Sequence, residues 1–283
     1  MRIANFEARG VPGIAADEGT GWHGLSQSDS GFPGTLPGLI AQGADLLRIG
    51  RTLGQSPAVD LKSVRLLPPV PAPPKIVCVG LNYDDHLQES GLKKPEYPEI
   101  FARFASSLIA HQDPIRLPRE STALDYEAEL AVVIGKPGRR IPREQALDHV
   151  AGYSVFNDAT LRDFQLRTPQ WTMGKNFDGT GSFGPWLVTP DSVPPGASGL
   201  RIQGRLNGRV MQDSRTDLLI FSVAVLIATI SVAMTLERGD VIITGTPGGV
   251  GAAHKPPVYM KAADIFEVEI EKIGVLTNPV QND

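Results

Sequence analysis

Two glutamates, Glu127 and Glu129, stand two residues apart at the head of an apolar run, Asp125-Tyr126-Glu127-Ala128-Glu129-Leu130-Ala131-Val132-Val133-Ile134. A strand sends alternate side chains to one face, so the two carboxylates share it. Adjacent anions repel and lose hydration unless a cation lies between them. A hard divalent ion suits the pair, because Mg²⁺ takes a few carboxylates and keeps its other positions for water and substrate. The alternative is an exposed strand edge carrying two solvated glutamates. A second apolar stretch, Tyr153 to Asn157, runs into Asp158. That carboxylate can join the first two from a neighbouring strand, or it can simply cap a turn.

His86 and Glu89 lie three residues apart, one helical turn, in Asp84-Asp85-His86-Leu87-Gln88-Glu89. A carboxylate at that spacing reaches the imidazole, orients it and raises its basicity, which suits a general base that deprotonates water. A plain surface contact is the competing explanation. Lys175, set among Trp171-Thr172-Met173-Gly174 and Asn176-Phe177, is either a half-buried cation that stabilises enolate charge or an ordinary surface lysine. Thr244 to Gly251 is a run of small residues that exposes backbone N–H groups. Phosphate-loop, nucleophile-elbow and HExxH patterns are absent.

The elements that must position these residues are mostly strands. Gly (30) and Pro (24) are abundant in the 283 residues, which predicts many turns and few long helices. Hydrophobic residues at 41% and charged residues at 20% give globular composition rather than disorder. A net charge of −4 leaves no basic footprint for nucleic acid or anionic lipid. The single cysteine, Cys78, excludes an internal disulfide, and the first residues lack the apolar core of a signal peptide, so a cytoplasmic protein is expected. Leu218 to Leu236 carries no charge over 19 residues. Its hydroxyl residues, a cap at Ser222 and Gly239 beyond its end predict a buried helix rather than a membrane span.

Residues 67–74 hold five prolines and read as a stiff connector. They divide a small N-terminal α/β domain, 1–70, from a catalytic domain, 71–283. Strands are expected at Met1 to Ala8, Gly21 to Leu25, Lys75 to Gly80, Leu124 to Ile134, Tyr153 to Asn157, Trp186 to Thr189, Ile202 to Leu206, Val241 to Thr244 and Ile265 to Ile270. Helical segments are expected at Leu36 to Leu47, Pro142 to His149 and Val223 to Thr235, and Asn207-Gly208 marks a hairpin turn.

Taken together and in this order, these segments resemble the fumarylacetoacetate hydrolase family. The resemblance spans about Lys75 to Asn278 and rests on GLNYDDHLQE, DYEAELAVVIG, YSVFNDATLRDFQ, GKNFDGTGSFGPW, MQDSRTDLLIFSVAVLIATIS, LERGDVIITGTPGGVG and FEVEIEKIGVLTNPV. It implies a mainly β (α+β) fold, a rolled mixed sheet behind a small N-terminal domain, in a homodimer. It implies one Mg²⁺ or Mn²⁺ per subunit on Glu127, Glu129 and Asp158, a water-activating pair at His86 and Glu89 in a lid segment, and the lysine at Lys175. Gln165 and Thr246 match substrate-contacting positions. Arg103 stands where lysine is common, which implies an altered contact to an anionic substrate. Val225 replaces a polar residue on the long helix, and His111-Gln112-Asp113-Pro114 replaces a Gly-rich stretch. The reaction implied first is hydrolysis of a C–C bond in a β-diketo acid such as an acylpyruvate. Decarboxylation of an oxaloacetate-type acid, isomerisation of a hydroxy-dienoate, and a non-catalytic binding protein on the same fold are the alternatives.

Overall fold

The computed structural model describes residues 1–90 and 94–283, apart from the side chains of Leu87, Gln88 and Ser90. At its centre lies the strand Ala128–Ile134, in which every residue is buried. Alternation sorts its side chains: Ala128, Leu130, Val132 and Ile134 join one apolar cluster, Ala131 and Val133 another. A strand buried on both faces reads as a continuous apolar run, and this one does.

The strand belongs to an eleven-stranded mixed sheet. Along its main path the order is His23–Ser26, Val11–Asp17, Arg2–Ala8, Gly181–Val188, Val150–Asp158, Ala128–Ile134, Val241–Ile243, Ile76–Gly80 and Glu99–Arg103. Val241–Ile243 and Ile76–Gly80 run parallel, while the neighbours on either side pair antiparallel. A five-stranded sheet, Arg209–Arg215, Arg201–Leu206, Ile265–Ile270, Gly274–Asn282 and Ile115–Leu117, packs Phe266, Val268 and Ile202 into the first cluster. Asn207 and Gly208, both at positive φ (51° and 78°), make the expected hairpin turn.

The N-terminal strands do not stand alone. Arg2 and Ile3 pair with Val188 and Leu187, and Met1, Ile3, Leu36 and Leu39 share a core cluster with Ala131, Val133 and Phe156. Sheet and core therefore run across the proline-rich connector. The helical segment expected over Leu36 to Leu47 is two helices, Leu36–Gln42 and Leu46–Leu53. Gly43, at φ 71°, closes the first, and Asp45 caps the second by accepting from Arg48 N–H.

The uncharged stretch forms the helix Val223–Ala233, with Val223, Leu226, Ile227 and Ile230 turned to the core. Ser222 is its N-cap through the backbone carbonyl alone, accepting from Leu226 N–H at 2.9 Å. Its C-cap is Met234 rather than Gly239, which lies instead in the turn entering Val241–Ile243. Among the described residues no helix is long and apolar enough to cross a membrane.

Candidate active site

Strand register assembles the acidic cluster. Ala128 pairs with Asn157, so Glu127, one residue earlier, lies opposite Asp158, whose N–H donates to the Glu127 carbonyl at 2.9 Å. Glu129 pairs with Phe156, and its carboxylate accepts from Gly245 N–H just beyond Val241–Ile243. One oxygen from each of Glu127, Glu129 and Asp158 lies within 4.8 Å of the others, and all three residues are buried. The two glutamates do share a face, as their spacing predicts.

Cations hold two of these anions. Lys175 Nζ donates to Glu127 Oε2 and to Asp158 Oδ2, each at 2.6 Å, and Lys175 is almost wholly buried, not a surface residue. Burial alone would lower its pKa, but Asp158 and Glu127 outweigh that and raise it. Burial works against the Glu127 carboxylate, yet Lys175 and Arg162 hold it below the usual range. Among the described residues Glu129 has no cation in contact. Burial first, then the charges of Asp158 and Glu127, push its carboxyl well above the usual range.

Arg103 is placed differently from expectation. Its guanidinium is fully buried and donates to Asp158 Oδ1, to Ser107 Oγ at 3.2 Å and to Thr180 Oγ1 at 2.7 Å. It does not line the cavity. With Ala159 O at 3.3 Å as well, the planar fork serves four acceptors at once, which an ammonium at this position would do less well. The resemblance implies that Arg103 contacts an anionic substrate; in the structure its guanidinium instead bonds a carboxylate of the cluster from outside the cavity lining.

The second half of the site comes from the chain leaving Ile76–Gly80. Leu81, at φ 54°, turns it into the helix Asp84–Ser90. Asn82 anchors the turn, donating to Thr244 O (2.7 Å) and Phe221 O (3.1 Å) and accepting from Phe221 N–H (2.7 Å). His86 Nδ1 lies 3.0 Å from Glu89 Oε1, and Glu89 Oε2 accepts from Gly249 N–H at 2.8 Å. Burial opposes ionisation of Glu89, but the bonds from His86 and Gly249 prevail and lower its pKa.

Glu127, Glu129 and the His86–Glu89 pair line one cavity of about 270 Å³, of whose lining Asp158 is not part. Its apolar wall is Val79, Phe101, Leu166, Trp171 and Val250. Gly80 admits the Trp171 ring, which a Cβ there would overlap. Gln165 lines the cavity, with Oε1 accepting from Arg162 at 2.9 Å. Thr246 lines it too, but its hydroxyl donates to Ala128 O (3.1 Å) and accepts from Gln212 (2.7 Å).

Three functional residues escaped the sequence reading. Arg162 reaches Glu127 Oε1 and Asp125 Oδ2, each at 2.7 Å, and its Nη2 is buried with no hydrogen-bond partner among the described residues. Asp125 is wholly buried beneath it. Gln212 ties Ala128 N–H, Thr246 and Pro247 together. Arg162 sits four residues after Asp158 and three before Gln165, a spacing that hinted at a shared turn.

The donor set fits a hard divalent cation: three buried carboxylates, oxygen only, one of them without a cation in contact among the described residues. A profile described as the fumarylacetoacetate (FAA) hydrolase C-terminal region matches residues 75–281. The chain belongs to the fumarylacetoacetate hydrolase family. Within it, a mitochondrial oxaloacetate tautomerase of Xenopus laevis is 40% identical over 99% of this chain and 90% of its own. A fumarylacetoacetate hydrolase from Exiguobacterium antarcticum superposes with a TM-score of 0.86 at 37% identity, covering both chains fully. A maleylpyruvate hydrolase from Sphingobium sp. SYK-6, solved with manganese(II) and pyruvate, gives 0.80 at 29% identity over 100% of this chain and 99% of that one. The family's mainly β fold with mixed sheets is the fold seen here.

Proposed function

We propose that this enzyme interconverts the keto and enol forms of a short 2-oxo acid of the oxaloacetate type, with a divalent metal. The observation that carries the reading is a cavity lined by Glu127 and Glu129 of the acidic cluster together with the His86–Glu89 pair. A tautomerase relative aligned over 99% of the chain supports the choice of reaction. A Mg²⁺ or Mn²⁺ ion held by the three carboxylates would supply Lewis-acid polarisation of the substrate's carbonyl and carboxylate oxygens.

The chain's own residues do the rest. His86, held at Nδ1 by Glu89, takes the proton from the carbon beside the carbonyl and returns it to the enolate oxygen. Lys175 and the Arg162 Nη2, which has no partner among the described residues, face the charge that develops on oxygen, and Gln165 holds the Arg162 fork in place. The apolar wall of Phe101, Trp171 and Val250 limits water around the enolate. The reading includes a homodimer in a reducing compartment, supported by the exposed Val232 and Met234 at the end of the long helix and by the lone buried Cys78.

C–C hydrolysis of an acylpyruvate is the second reading, and the His86–Glu89 pair favours it because the same base can activate water. Both reactions pass through a stabilised enolate. Proton NMR of oxaloacetate and of an acylpyruvate, each incubated with enzyme and Mg²⁺, separates them. Exchange at the oxaloacetate methylene without loss of carbon is expected. Faster release of pyruvate plus a second acid from the acylpyruvate would put hydrolysis first.

A further inference from the structure

We propose that Asp125 is a positioning residue that locks Arg162 to the loop receiving the lid's Glu89, so that both halves of the site are set by one carboxylate. The inference rests on the functional reading of Arg162 and Glu89 given above. Asp125 is wholly buried and accepts four bonds. Oδ1 takes Tyr126 N–H at 2.8 Å and Gly251 N–H at 2.7 Å. Oδ2 takes Ala252 N–H at 2.9 Å and Arg162 Nε at 2.7 Å. Two residues upstream on the same loop, Gly249 N–H holds Glu89. Residues 249–252 therefore lend backbone donors to two carboxylates on opposite sides, one carrying the His86 ring and one carrying Arg162. Gly251 has no room for a side chain, since a Cβ would meet the Val258 carbonyl and lie 2.5 Å from Asp125 Oδ1.

Chemistry makes the role separable. In Asp125→Asn the amide oxygen can still serve Tyr126 and Gly251, but the amide nitrogen then opposes two other donors, Ala252 N–H and Arg162 Nε. The fork loses its anchor while the metal cluster keeps its residues. The test is calorimetric binding of oxalate, a chelating dianion shaped like an enolate carboxylate, to Mn²⁺-loaded protein. It is run on wild type, Asp125→Asn, Arg162→Gln and the double variant, beside titration with Mn²⁺ alone. Loss of an anchored charged hydrogen bond predicts oxalate binding weaker by on the order of 10- to 100-fold in Asp125→Asn. Mn²⁺ affinity should stay within about twofold, and the double variant should be no worse than Arg162→Gln alone by more than about twofold. A purely structural Asp125 would give multiplied losses in the double variant, and that result overturns the proposal.

If Asp125→Asn does not fold, Arg162→Lys carries the test. A lysine keeps the charge but cannot bridge Asp125, Glu127 and Gln165, so oxalate binding should fall as in Arg162→Gln. Wild-type affinity in that variant would overturn the proposal. Wild-type protein that fails to bind oxalate would overturn the functional reading and this inference with it, whereas normal wild-type binding with multiplied losses removes this inference alone.

Discussion

Lys175 Nζ stands 2.6 Å from both Glu127 Oε2 and Asp158 Oδ2, bridging two strands whose register sets these carboxylates face to face. One buried ammonium thus neutralises part of a cluster that carries three carboxylates. Glu129 is the carboxylate of the three with no cation in contact among the described residues.

Removing a ligand should remove the metal. Glu127→Ala is expected to weaken Mn²⁺ binding by more than about 100-fold, since loss of even a supporting partner costs 10- to 100-fold. Electron paramagnetic resonance of free Mn²⁺ in a titration reads this directly. Near wild-type binding would take Glu127 out of the metal site.

The raised pKa of Glu129 fixes the sign of a pH dependence. An acid raised in the folded state holds its proton in a window where the unfolded chain has already lost it. Without metal, this group's contribution to stability falls as pH rises through that window. Metal needs the ionised form, so Mn²⁺ affinity should rise with pH, with proton release on binding. Calorimetry in buffers of different ionisation enthalpy should detect that release, and Glu129→Gln should abolish it.

His86→Ala should lower turnover by about 10²-fold or more, the range for a lost general base, with Mn²⁺ affinity unchanged. Steady-state kinetics beside metal titration separates the two quantities. A parallel fall in Mn²⁺ binding would show that His86 shapes the metal cluster instead of moving protons.

Arg103→Met should be among the costlier substitutions, because it strands Asp158, Ser107 and Thr180 in a dry interior. Breaking a buried pair by removing one partner costs about 3–5 kcal/mol. Urea unfolding should show that loss, and Arg103→Lys should recover part of it. A neutral Arg103→Met would mean that Lys175 alone suffices for Asp158.

The strand that Glu127 precedes and Glu129 joins was legible because, buried on both faces, it reads as a continuous apolar run. His86 and Glu89 were legible because a helical turn is a local relationship. Arg103 was not, since its partners Asp158 and Thr180 lie 55 and 77 residues away and only the fold brings them together. Arg162 and Asp125 went unseen for the same reason, 37 residues apart on paired short strands and a turn. Gly239 does lie beyond the long helix, as expected, but Met234 turns to an extended backbone and ends that helix five residues before it. The division at residue 70 followed prolines, whereas hydrogen bonding between Arg2–Ala8 and Gly181–Val188 ignores them.

The central claim is that a metal on the Glu127, Glu129 and Asp158 cluster, with His86, drives enolisation of a 2-oxo acid. The most direct measurement follows the absorbance of enol-oxaloacetate as it ketonises with enzyme and Mn²⁺, then with excess EDTA, then with Mn²⁺ restored. Glu129→Gln is run in parallel. The account predicts acceleration that EDTA abolishes, that Mn²⁺ restores, and that Glu129→Gln lacks. Acceleration that survives EDTA, or that Glu129→Gln retains in full, would contradict it.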